Sequence, residues 1–155
     1  MHILRADLFS ETILLHANAI AITTNSILRA DGKAVMGAGV ARAAAQKWPD
    51  LPVLLATELR TRGNHVALLK TIASTPTPLH LLSFPTKHHW KDDSDPALIV
   101  RSAVELAAWA DDHGWRRVYM PPAGCSNGRL KWAEVEPILS PILDDRFHIC
   151  FLPRR

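Results

Sequence analysis

Short apolar segments alternate with helical ones along the whole chain, and that alternation confines it to a layered α/β architecture. The clearest helix lies between two apolar runs. Asp95 suits its N-cap, Pro96 its first position and Gly114 its C-cap. Ile99, Ala103, Leu106, Ala107 and Ala110 recur at helical spacing and mark the stripe that must be buried. Ahead of it, residues 66–72 and 79–84 read as strands joined by a proline-bearing turn at 74–78, a hairpin. After it, residues 117–120 form a short strand, 121–131 a loop, 132–143 a helix shortened or broken by Pro137 and Pro141, and 147–152 a last strand. Near the start, residues 2–6 read as a strand and 12–24 as a second strand region. An alanine-rich helix follows at 40–47, then a short helix at 51–60 closed by Gly63. The hairpin makes the sheet mixed rather than purely parallel.

A chain of 155 residues suits one domain with its own core, and no repeat or linker divides it, so residues 1–155 are expected to be a single unit. Hydrophobic residues at 48% and charged residues at 21% exclude a disordered chain. No apolar run reaches the ~18 residues of a membrane span, and no signal peptide opens the chain. The two cysteines, Cys125 and Cys150, form no pair, so free thiols and a cytoplasmic location are expected. The histidines show no metal-ligand spacing, so neither a metal nor a cofactor is expected. A net charge of +3 permits an anionic ligand or a nucleic acid without requiring either.

Four segments carry potential chemistry. Met36-Gly37-Ala38-Gly39-Val40 places two glycines at the start of a helix, where free N–H groups and the helix dipole favour a phosphate. No Gly-Lys-Ser/Thr follows, so this is not a P-loop, and the polar stretch ahead of it does not fit a Rossmann turn. Gly124-Cys125-Ser126-Asn127-Gly128 leaves a strand and could wrap a second phosphate with backbone donors. Cys125 shows no partner that would make it a nucleophile. Lys87, His88, His89 and Trp90 share one short loop after a strand, which composition alone reads as a solvated surface loop. Asn25, just after the second strand region, reads as a ribose ligand or as a turn residue.

Together these segments resemble the macrodomain family over most of the chain. Arg5-Ala6-Asp7-Leu8-Phe9 is similar to the family's adenine-contacting strand end, Asn25 to its distal-ribose asparagine, and residues 35–41 and 122–132 to its two phosphate loops. The Met-Gly-x-Gly loop, the Phe-Pro-Thr-Lys-x-x-Trp segment and the Gly-Cys-x-x-x-x-Leu-x-Trp loop resemble one branch most. That branch holds the animal terminal ADP-ribose glycohydrolases and the bacterial DNA ADP-ribosyl glycohydrolase antitoxins.

The resemblance implies a three-layer α/β/α fold around a mixed, mostly parallel sheet. It implies ADP-ribose bound by Asp7, Leu8, Asn25, Met36, Gly37, Ala38, Gly39, Val40, Gly124, Cys125, Ser126, Asn127 and Gly128, with Leu8 supplying an N–H and an apolar wall. It also implies that Lys87 is catalytic. Gly128 stands where the animal enzyme carries an assisting aspartate, and residues 26–34 are extra relative to the antitoxins. The expected function is removal of ADP-ribose from a modified protein or DNA base by a monomer that does not engage membranes. A non-catalytic ADP-ribose reader and a hydrolase of small ADP-ribose derivatives are the alternatives. A nucleic-acid-binding domain is less expected, since no basic stripe is interleaved with aromatics.

Overall fold

In the computed structural model, which describes residues 1–73 and 76–154, a six-stranded sheet carries helices on both faces. The strands are β1 (His2–Arg5), β2 (Ala19–Thr24), β3 (Leu68–Ile72), β4 (Leu79–Pro85), β5 (Val118–Met120) and β6 (Phe147–Phe151). The helices are α1 (Glu11–His16), α2 (Gly39–Lys47), α3 (Leu51–Arg62), α4 (Pro96–His113) and α5 (Trp132–Leu139). Strand order is β1-β6-β5-β2-β4-β3. Every neighbouring pair is parallel except β3 with β4, so the sheet is mixed and mostly parallel, as expected. The turn expected at 74–78 lies partly outside the described residues, but the hairpin it implies is present in the antiparallel β3–β4 pair.

The central strands read as unbroken apolar runs because both of their faces are covered. Ala19, Ile20, Ala21 and Ile22 of β2 are all fully buried. Ala19 and Ala21 face one core, where Phe84, Val118, Met120 and Ile149 meet α4 and α5 through Ile99, Leu106, Val135 and Leu139. Ile20 and Ile22 face the other, with Leu79 and Leu81 against Ile13, Ala44, Leu51 and Leu55 from α1, α2 and α3. Full burial of an aliphatic side chain of this size stabilises by roughly 1.5–3 kcal/mol, so two such cores clamp the sheet.

Helix α4 follows its sequence signals. Asp95 Oδ1 accepts from the Ala97 N–H at 3.0 Å, and Gly114 ends the helix in the left-handed region at φ 68°. Ala107 is only half-buried, so the stripe is narrower there than its spacing suggests. Helix α5 stops at Leu139, as its prolines predict; Leu143 is still buried, delivered by a turn beyond the helix.

One expectation is overturned. Residues 12–24 are not one strand region, because 11–16 form α1. The β-branched Thr12 and Ile13 favour a strand locally. What wins is position in the sheet: β1 is at the edge, β6 and β5 separate it from β2, and the chain must cross over them. Ser10 caps the crossing, its side chain accepting from the Ile13 N–H, and Ile13 is buried in the second core.

Candidate functional site

Strands β2 and β5 are neighbours, and their chains leave in opposite directions, β2 towards α2 on one face and β5 towards α5 on the other. That divergence opens a crevice at the carboxyl edge of the sheet, where open α/β domains bind ligands. The expected segments all start at this edge: residues 6–8 after β1, Asn25 after β2, Lys87 after β4 and the 121–131 loop after β5.

Asn25 closes the first loop. Its Oδ1 accepts from the Ile27 N–H at 3.0 Å and its Nδ2 donates to the Val35 carbonyl at 3.4 Å. These bonds tie the end of β2 to the glycine segment, and the amide is already partly engaged. The intervening residues fold back on themselves, with a Leu28–Ala34 bridge and the Arg29 N–H donating to the Lys33 carbonyl at 2.7 Å. Just ahead of this fold-back, Ser26 donates to the His88 carbonyl of the lysine loop through both N–H and Oγ.

Gly37, Ala38 and Gly39 are exposed at the start of α2. Ala38 is the N-cap and supplies no side-chain acceptor, so the first N–H groups of the helix stay open to a ligand. A side chain on Gly37 would meet nothing within 4 Å, so packing does not require glycine there. Gly39 has φ 57°, and a Cβ on it would stand 2.9 Å from Asn127 Nδ2, so the two loops face each other closely. Met36 and Val40 flank this segment; Met36 is buried and Val40 partly so, and both pack into the second core.

The second loop is curled by three residues in the left-handed region: Gly124 at φ 76°, Ser126 at 61° and Arg129 at 63°. The Leu130 N–H donates to the Gly124 carbonyl at 3.0 Å and closes the loop. Ser126 and Asn127 are exposed, whereas Gly124 and Gly128 are buried against the body of the domain. Burial, and then Glu134, push the Cys125 thiol above its ordinary pKa, which keeps it protonated and unsuited to nucleophilic attack.

Lys87 reaches across to this loop. Its Nζ donates to the Asn127 carbonyl at 2.9 Å and to the Trp90 carbonyl at 3.3 Å. Partial burial lowers its pKa, and Arg129 lowers it further, while Asp93 and Asp92 oppose the shift. His88 turns instead to Asp95, at 3.1 Å, and so braces the N-cap of α4. His89 Nδ1 accepts from the Lys91 N–H at 3.0 Å. At the far end of the crevice Asp7 is exposed, with Oδ1 accepting from the Phe9 N–H at 2.9 Å. Leu8 is buried, with its side chain in the second core.

Three neighbours of Lys87 were not legible as a group. Asp93, Ser94 and Arg129 converge on the second loop: Arg129 Nη1 lies 2.8 Å from Asp93 Oδ1, and the Ser94 N–H donates to the Gly128 carbonyl at 2.9 Å. Arg129 stands 36 positions from Asp93, too far for any local pattern to join the two. A separate cavity of about 560 Å³, lined by residues including Trp115, Arg116 and Arg146, lies at the opposite edge of the sheet.

The molecule is therefore an α/β domain whose open helix N-terminus and curled glycine loop face each other beside a half-buried lysine. Residues 24–139 match the family model described as Macro domain. The chain belongs to that family. It is 29% identical over 126 residues to the DNA ADP-ribosyl glycohydrolase of Mycobacterium tuberculosis, an alignment covering 73% of this chain and 35% of the relative. The chain thus spans about a third of that relative's length. Its fold is that of the macrodomain of M. tuberculosis DarG, with TM-score 0.75, 24% identity, and 98% of each chain covered. Thermosipho africanus DarTG, solved in complex with ADP-ribose, superposes with TM-score 0.72 and 23% identity over 90% of this chain and 39% of the other.

Proposed function

We propose that this chain is an ADP-ribosyl hydrolase that binds ADP-ribose along the carboxyl edge of its sheet and releases it from a modified macromolecule. The observation that carries the reading is the order of groups along that edge. Asp7 follows β1, the two phosphate-type loops follow β5 and β2, and Lys87 follows β4. With strands about 4.8 Å apart, the span from β1 to β4 is roughly 19 Å, enough for adenosine, diphosphate and distal ribose in line. Asp7 accepts from the adenine amino group. Gly37, Ala38 and Gly39 receive the diphosphate on one side, and the backbone of Cys125, Ser126, Asn127 and Gly128 on the other. Asn25 holds the distal ribose, and Lys87 acts at the anomeric carbon as nucleophile or positioning charge.

The names of the mycobacterial relative and of the ADP-ribose-bound neighbour support this ligand and favour an ADP-ribosylated DNA base over an acidic protein side chain as substrate. Among the described residues no helix is long and apolar enough to cross a membrane. A monomer acting in the reducing cytoplasm fits the two free cysteines.

The test offers the protein an ADP-ribosylated thymidine oligonucleotide and an ADP-ribosylated acidic peptide side by side. Release from the oligonucleotide is expected. Release from neither leaves an ADP-ribose reader, a reading favoured by the lack of any acidic side chain at positions 124–130. Lys87→Ala should abolish release while ADP-ribose affinity, measured by calorimetry, stays within about tenfold, or ~1.4 kcal/mol. A modest loss is expected because Lys87 also holds the Asn127 carbonyl. Unchanged turnover would remove Lys87 from the reaction.

A further inference from the structure

Cleavage at an anomeric carbon builds positive charge, and a lysine beside it must hold or surrender a proton at the right moment. A carboxylate near the lysine serves both needs. The second loop has none at positions 124–130, and position 128 is crowded. A Cβ on Gly128 would overlap Ser94 Oγ. That hydroxyl is buried, with no hydrogen-bond partner among the described residues.

The loop between β4 and α4 packs against the second loop at three points. Lys87 Nζ holds the Asn127 carbonyl, the Ser94 N–H holds the Gly128 carbonyl, and Asp93 Oδ1 holds Arg129 Nη1, at 2.9, 2.9 and 2.8 Å. Three successive residues of one loop are each gripped by the other. Arg129 sits in the left-handed region, which a residue with a Cβ keeps only when its neighbours impose it. The same segment that crowds position 128, through Ser94, therefore carries a carboxylate on the adjoining residue.

We propose that Asp93 is the positioning carboxylate of Lys87, delivered from the lysine's own loop and anchored on the second phosphate loop by Arg129. The inference rests on the hydrolase reading above. The charged groups that act electrostatically on Lys87 are Arg129 from the second loop and Asp92 and Asp93 from its own; His88, on the same loop, is paired with Asp95. Of the two acids, Asp93 is the one tied by an ion pair to the second loop. Arg129 and Asp93 act on the lysine in opposite senses, the guanidinium favouring the free amine and the carboxylate favouring the ammonium.

The opposition supplies the test. In protein with ¹³C-methylated lysines, the Lys87 resonance is assigned by its loss in Lys87→Arg and titrated by NMR. Turnover on the ADP-ribosylated oligonucleotide is followed against pH in the same variants. Both side chains of the pair are well exposed, so the variants should fold, and circular dichroism checks this. Asp93→Asn should lower kcat about tenfold or more with KM within about threefold, and move the lysine midpoint and the matching limb of the pH profile to lower pH. Arg129→Ala should move both to higher pH, and Asp93→Glu should restore most of kcat. The direction is the same whether the amine or the ammonium is the active form. A midpoint and profile unmoved by Asp93→Asn overturn the proposal. If the wild-type protein releases nothing, the hydrolase reading fails by itself. The NMR midpoint still decides: unmoved by Asp93→Asn it overturns the Asp93–Lys87 link, and moved to lower pH it supports it.

Discussion

Gly37 and Gly128 are both glycines in facing loops, but for different reasons. Gly128 is crowded by the protein itself, because Ser94 Oγ stands where a Cβ would lie and must turn away to admit one. Gly37 is not, since a side chain there meets only solvent. An open glycine at an uncapped helix start is most simply explained by a guest that must approach the backbone. Gly37→Glu should therefore leave the melting temperature nearly unchanged and abolish ADP-ribose binding by calorimetry, because it puts bulk and negative charge where a diphosphate would lie. Retained micromolar affinity would displace the first loop from the site. Lys87 shows how far one residue was legible. Its place in a short loop after a strand was readable, and composition alone made it a solvated surface residue. Its grip on the Asn127 carbonyl depends on a residue 40 positions away.

At the scale of elements, the helices with clear caps were the legible ones. Asp95, Pro96 and Gly114 bound α4 because capping is decided within a few residues. Helix α1 was misread because its six residues carry β-branched side chains, and the crossover that requires a helix there is a property of strand order. The strands also carry histidines whose behaviour no local pattern shows. His80 of β4 stacks on Trp115 at 5.0 Å, and His148 of β6 stacks on Tyr119 at 4.6 Å. Burial first, and then a neighbouring histidine (His113 for His80, His2 for His148), lowers the pKa of each. The unfolded chain therefore binds these protons before the folded one does. Stability should be constant above the ordinary histidine value of about 6.5 and decline as pH falls from there to the lowered folded-state values. Urea titrations from pH 8 to 5 should show this decline, reduced in the His80→Gln, His148→Gln double variant. An equal decline in that variant would assign the effect to other groups.

For the whole molecule, the sheet joins two cores and leaves one carboxyl edge lined by loops from β1, β2, β4 and β5. A ligand lying along that edge touches loops that leave towards both faces, so binding should stabilise the entire fold. At a hundredfold excess over Kd the gain is about 2.7 kcal/mol, which for a domain of this size raises Tm by roughly 5–10 °C. Differential scanning fluorimetry with ADP-ribose reads this shift. Its absence at millimolar ligand would count against the edge as the binding site.

The division between sequence and tertiary structure follows the range of the interactions. Burial patterns, caps and glycine loops act over a few residues, so the sequence by itself determined the α/β class, the β3–β4 hairpin, the bounds of α4 and the two glycine-bearing loops. Strand order is set by which apolar faces can be covered together, so only the tertiary structure decided that α1 is a helix and that Leu8 turns into the core. It alone decided that Ser26 bonds to the His88 carbonyl, and that Asp93 and Ser94 lie against Arg129 and Gly128. Those contacts join loops well separated in sequence through a few hydrogen bonds and one ion pair, and such contacts leave no periodicity for a sequence to display.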